Sequence, residues 1–122
     1  MKKNVMERIN DLNDIYSELK VNPSNDVIKI EGFDELETQT LRNIVEWMRV
    51  CKVANEGWLP KKGEKRHYPY YDVSSGFVFD DTGYDDASAD TASASRLCLK
   101  NEKLAEDMGI KFLNVQKNII NV

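Results

Sequence analysis

His67 is the only histidine in the chain. Any mechanism that moves a proton through an imidazole, or pairs one with a Ser or Cys nucleophile or a metal, must therefore use it. No GxSxG turn surrounds Ser74 or Ser75. The two cysteines, Cys51 and Cys98, lie far apart with no CxxC spacing, which excludes a zinc ribbon and a disulfide scaffold. His67 is thus expected to be a partly exposed strand residue, and the cysteines to be small buried hydrophobes. The run Asp80-Asp81-Thr82-Gly83-Tyr84-Asp85-Asp86 offers carboxylate oxygens to a hard cation but lacks the DxDxDG spacing and the bidentate Glu. It reads as an Asp-rich turn. Gly57, Gly63, Gly76 and Gly83 are scattered and form no phosphate-cradling loop. The expectation is a chain with no catalytic residue, no cofactor-binding residue and no metal ligand.

The constellation with the most chemistry in it is Lys61-Lys62-Gly63-Glu64-Lys65-Arg66, followed directly by His67-Tyr68-Pro69-Tyr70-Tyr71. Cations neutralise phosphates while aromatic faces stack on unpaired bases, which is how single-strand binders work. Lys61, Lys62, Lys65, Arg66, Tyr68, Tyr70 and Tyr71 are the candidate contact residues, for a protein partner or a nucleic acid. The plainer reading is a solvated loop leading into a strand whose tyrosines face the core and whose hydroxyls reach water. Asp80, Asp81, Asp85, Asp86 and Asp90 favour the plainer reading, because their field repels a phosphate backbone.

These residues need elements to hold them. With 122 residues the chain can bury one modest core but not two, so one domain over 1–122 is expected. Lys and Arg number 17 against 21 Asp and Glu, a net charge of −4 that disfavours a surface built wholly for nucleic acid. No apolar run approaches the ~20 residues that cross a bilayer, and the start MKKNVMERIND lacks the apolar stretch of a signal peptide. A cytoplasmic protein without a membrane partner is expected.

Val5, Ile9, Leu12, Ile15, Tyr16 and Leu19 recur at steps of three and four, which predicts an amphipathic helix over about 4–20 that stops before Pro23. Ile28 and Ile30 alternate with Lys29 and Glu31 like a short strand closed by Gly32. Asp34 and Glu37 form a capping box opening a helix over 34–55, with Leu41, Ile44, Val45, Met48, Cys51 and Ala54 as its apolar stripe. Seven of the eleven aromatic residues lie between Trp58 and Tyr84, where a strand over His67–Val73, a turn at 74–76 and a strand from Phe77 to Asp80 or a little beyond are predicted. Pro69 has no N–H for a ladder, which makes the first strand an edge or pairs it at one side only.

A third strand is expected at Arg96–Lys100, completing a sheet over about 67–100 with a mobile, protease-sensitive loop at 86–95. The last helix, about 101–120, starts at Asn101 and carries Leu104, Met108, Phe112, Val115 and Ile119. Gly109 interrupts it at about 1 kcal/mol relative to Ala, a cost best explained by close packing against another backbone. Trp58 and Phe112 are expected in the core, Trp58 at the junction of the second helix and the sheet. The fold class is α+β: two N-terminal helices, a small three-stranded antiparallel sheet, and a C-terminal amphipathic helix packed on one sheet face.

Asn55-Glu56-Gly57-Trp58 with Pro60, Tyr68-Pro69-Tyr70, Gly76-Phe77, Ser95-Arg96-Leu97-Cys98 with Lys100, and then Ala105, Gly109 and Phe112 form a series of short motifs. It resembles that of small proteins encoded by phages and prophages of gut Bacteroidetes. The resemblance covers about residues 44–120. Leu99 stands where the family usually has Phe, Lys61 and Lys62 where Asp and Trp tend to follow the proline, and Asp107-Met108 precedes Gly109. The family has no assigned catalytic residue, so no site is carried over. What the resemblance implies is a phage-type accessory protein, in the host cytoplasm or in the virion. Three function classes follow. The first is a non-enzymatic protein that binds a protein partner or a second copy of itself, as a virion or assembly component or as an inhibitor of a host process. The second is a nucleic-acid-binding module using the 61–71 segment. The third is an enzyme, disfavoured because the polar constellations a reaction needs are missing.

Overall fold

The computed structural model describes residues 4–23, 29–85 and 97–120. Its elements follow in the order α1 (Val5–Arg8), α2 (Leu12–Leu19), α3 (Glu35–Ala54), β1 (Arg66–Asp72), β2 (Val78–Asp85), α4 (Glu102–Lys111) and α5 (Leu113–Ile120). The mixture of helix and strand is as expected. The finer architecture differs in several places.

The first predicted helix is two. Ile9 is extended and Asp11 starts a new helix: its side chain accepts from the Asp14 N–H at 3.1 Å, while Asp14 accepts in return from the Asn10 and Asp11 N–H groups. This is a capping box with Asp in place of the usual Glu, and it breaks the helix without disturbing the stripe. Val5, Ile9 and Ile15 are buried on both sides of the break. Similarly, the last helix breaks at Phe112, yet Leu104, Met108, Phe112 and Val115 are all buried and Ile119 packs against them. Of the short strand proposed around Ile28, residues 24–28 lie outside the described residues, and Lys29 and Ile30 are not strand.

The sheet has two strands among the described residues, not three. β1 and β2 pair antiparallel, with a register shift between Tyr70 and Tyr71. The expected third strand shrinks to one bridge, in which His67 and Leu99 exchange both backbone bonds at 3.0 and 2.8 Å. Pro69 supplies the reason. Residues two apart address the same edge of a strand, so the next donor along that edge of β1 would be Pro69, which has none. The acidic run, expected to be a turn, is instead strand: Asp80, Asp81 and Asp85 lie in β2, and the Tyr70 ring covers Gly83 so closely that a Cβ there would meet it at 2.3 Å. The 86–95 loop lies outside the described residues.

α3 is the central element, contacted by α1, α2, α4 and α5. Asp34 and Glu37 cap its start as predicted. Its buried face matches the predicted stripe only in part: Cys51 and Ala54 are buried as expected, but Asn43, Glu46, Trp47 and Val50 also point inward while Met48 is 40% exposed. Polar positions face inward because they are paired. Glu46 accepts from the Tyr16 hydroxyl at 2.5 Å and from Arg49 at 3.1 Å, and Arg49 also donates to the Asn22 carbonyl. The core tryptophan is Trp47, whose Nε1 donates to the Leu97 carbonyl at 3.0 Å. Trp58, expected there, is only half-buried and stands outside the core cluster, whereas Phe112 is buried as expected.

Gly109 packs against β1. A Cβ at this position would lie 2.5 Å from the Pro69 Cβ, and the Tyr71 hydroxyl donates to the Gly109 carbonyl at 2.7 Å. The close approach inferred from the glycine is present, but it is to the Pro69 and Tyr71 side chains and not to another backbone, and it seats α4 on the tyrosine strand.

Candidate functional site

A concavity lies beside α3. Val45, Met48, Lys52 and Asn55 share one face of that helix at steps of three and four. The chain then turns back through Glu56 and Gly57, both at positive φ, to lay Trp58, Leu59 and Pro60 along the same face. The result is a mainly apolar cleft of about 490 Å³ with Cys51 and Cys98 also in its lining. Burial, with Cys98 nearby, pushes the Cys51 thiol well above its ordinary pKa, so it stays a neutral apolar group.

Asn55 holds the cleft together. Buried at the end of α3, it donates from Nδ2 to the Cys98 carbonyl and accepts at Oδ1 from the Lys100 N–H, both at 3.0 Å. Those two backbone groups are the pair a neighbouring strand would have satisfied, so one side-chain amide does the work of a strand. Its own carbonyl accepts the Trp58 N–H at 3.0 Å, fixing the return of the chain. Trp58 Nε1 donates to Glu64 at 2.8 Å, which leaves the ring as a wall of the cleft. Met48 and Leu59, 40% and 52% exposed, form its open lip. Asn55, Gly57, Trp58, Pro60 and Cys98 all converge here. Sequence reasoning missed this site because Asn55 looked like a helix stop and Leu59 belonged to no periodic stripe.

The sequence-predicted contact residues are not gathered into one surface. Lys61 and Lys62 are exposed directly after Pro60, beside the cleft. Lys65 is exposed with its ammonium 4.2 Å from the centre of the Tyr84 ring. Arg66 is only 4% exposed, so it presents little surface to a partner, and the strand register sets it opposite Asp85. Tyr68 donates to Asp85 at 2.8 Å, and its hydroxyl lies 3.4 Å from that of Tyr70; these bonds, with some burial, raise its pKa. Tyr70 is exposed on the same side. Tyr71 faces α4, stacked on Phe77 at 4.6 Å, and burial raises its pKa.

His67 is half-buried within β1, as expected, 5.9 Å from the Tyr84 ring. Burial lowers its pKa below 6.5; Glu102 opposes that shift and Lys65 adds to it. The unfolded chain therefore takes up a proton near pH 6.5 that the folded chain resists, so stability falls as pH drops through that value. The urea midpoint is expected to fall more between pH 7.5 and 5.5 in the native protein than in His67→Gln, and equal falls would contradict the assignment. Among the described residues no three His, Cys, Asp or Glu side chains come together as a metal site, and no helix is long and apolar enough to cross a membrane. No protein-family model, curated protein or solved structure matches the chain.

Proposed function

We propose that this chain is a non-enzymatic accessory protein of phage type that acts by binding a protein partner, and that the α3 cleft is the surface it uses. The observation that carries this reading is the cleft itself: a mainly apolar concavity walled by Trp58, with Met48 and Leu59 exposed at its lip. Exposed apolar surface gathered around a concavity marks binding, and Trp and Met are enriched where partners meet. The resemblance to phage and prophage proteins supports the accessory role, either in a virion or its assembly or as an inhibitor of a host process. Affinity capture from lysogenic cells, comparing the native chain with Leu59→Asp, tests it. A partner retained by the native chain and lost by the variant is expected; the same captured set with both would remove the cleft from the function.

The competing nucleic-acid reading draws on Lys61, Lys62 and Lys65, which are exposed. Burial of Arg66, the Tyr68 bond to Asp85, and exposed Asp80 and Asp81 on the neighbouring strand all weigh against it. No salt-sensitive gel shift with single-stranded DNA or RNA is expected at physiological ionic strength. Submicromolar binding that charge reversal at Lys61, Lys62 and Lys65 abolishes would reverse the ranking.

A further inference from the structure

We infer that the cleft takes an amphipathic helix whose polar flank is acidic, an assignment of partner chemistry that rests on the protein-binding reading above. Three observations carry it. The first is shape. The α3 wall runs from Val45 to Asn55, about 15 Å or three helical turns, and Trp58, Leu59 and Pro60 line the same cleft. A concavity with a helical wall of that length suits the apolar stripe of a short helix laid alongside α3, with anchors at i, i+3 or i+4, and i+7.

The second is the backbone of the opposite wall. Strand addition needs free N–H groups along an edge, but the Trp58 N–H is already bonded to the Asn55 carbonyl and Pro60 has none. Recognition must therefore come from side chains packing into the trough, which suits a helix, whose backbone is internally satisfied, better than a strand.

The third is charge. The chain is net negative, yet the mouth of this cleft is cationic. Lys52 lines it and is exposed, and Lys61 and Lys62 follow Pro60. Arg49, also in the lining, is paired with Glu46; Glu56 lies 3.6 Å from Arg8, which also pairs with Glu18, and Glu64 keeps its charge while accepting from Trp58, so the three lysines outnumber the acids beside them. The local excess of lysine selects an acidic flank and repels a basic one.

The test uses the full-length protein and two synthetic 18-residue helical peptides with the same leucine face, one with glutamate and one with lysine on the polar face, titrated by calorimetry at physiological salt. The glutamate peptide is expected to bind about tenfold more tightly than the lysine peptide, the combined effect of a few rim ion pairs. Lys52→Glu combined with Lys61→Glu should erase or invert that preference. Leu59→Asp, at an exposed position that leaves the circular dichroism spectrum unchanged, should remove binding of both. Equal binding of the two peptides, binding that survives Leu59→Asp, or no binding of the glutamate peptide would each overturn the inference. Laurate binding that depends on Leu59, without peptide binding, would overturn it too and assign the cleft to a small apolar anion. Capture from cells separates the two levels of the argument: Leu59-dependent capture with no peptide preference removes only the acidic helix, and Leu59-independent capture removes the cleft reading itself.

Discussion

Trp47→Ala is expected to destabilise the protein by about 3–5 kcal/mol, the range for deleting a large aromatic side chain from a packed core. Trp47 is 2% exposed at the middle of α3, the helix that every other helix contacts, so neighbouring side chains cannot easily close over the void. The substitution also strips the Leu97 carbonyl of its donor, leaving a polar group to find a new partner. Trp58→Ala supplies the contrast. Its ring is half-buried against a cleft already open to solvent, so less packing is lost and the destabilisation should be clearly smaller. Urea unfolding followed by circular dichroism, which does not depend on either tryptophan as a probe, measures both. A Trp58→Ala loss equal to or larger than that of Trp47→Ala would mean that the core is centred elsewhere.

The second large effect is expected at Asn55. Asn55→Ala leaves the Cys98 carbonyl and the Lys100 N–H without their partner, and two unsatisfied groups of this kind cost about 2–6 kcal/mol together. Asn55→Asp is more diagnostic. It keeps the oxygen that accepts from Lys100 but turns the other atom, which donated to Cys98, into an acceptor facing an acceptor. The carboxyl in the folded protein is thereby favoured in its protonated form, with its pKa raised above the unfolded value. A raised folded pKa means that the folded state binds more protons, so the variant should recover stability as pH falls toward the carboxylate range. The native protein lacks this carboxyl and has only the loss of stability through His67 as pH falls below about 6.5. If the native protein and Asn55→Asp respond alike to falling pH, the amide is not bridging the two backbone groups.

These two residues also show where the sequence was legible. Capping signals and helical stripes were readable wherever one face of a helix is apolar: Asp34 with Glu37, Asn101, and the run from Leu104 to Val115 all behave as their types and spacing require. α3 resisted because several elements surround it and part of its buried face is polar. Asn43 and Glu46 count against burial in any hydropathy pattern, yet Glu46 is accommodated by Tyr16 and Arg49, residues whose proximity only the fold provides. Trp47 lay in plain view but off the assumed stripe. The break before Asp11 was hidden because Asp14 does the work usually assigned to Glu or Gln. The third strand failed for a related reason: alternation at Leu97 and Leu99 correctly indicated extended backbone, but the partner on one side is the side chain of Asn55. The candidate site was the least legible part, since its two walls, though close in sequence, face one cleft only when Gly57 reverses the chain, and Cys98 joins them from far along it.

Lys111 ties together the early and late parts of the chain. Its ammonium reaches the carbonyls of Met6 at 2.5 Å and Ile9 at 2.8 Å while paired with Asp107 at 2.8 Å. α1 is a single turn of four residues, far too short to persist alone, and beside its local Ile9 N–H cap the one ammonium that binds its last carbonyls arrives from about a hundred residues away in the chain. Its formation is thus conditional on α4 already being docked, which loads the folding reaction with contacts of high sequence separation and slows it relative to a bundle of locally paired helices. An early helical turn would ordinarily exchange its amide hydrogens by fraying. Here the amides closed by that turn should instead exchange with the cooperative unit that contains α4, so the earliest described helix reports on the integrity of the latest ones.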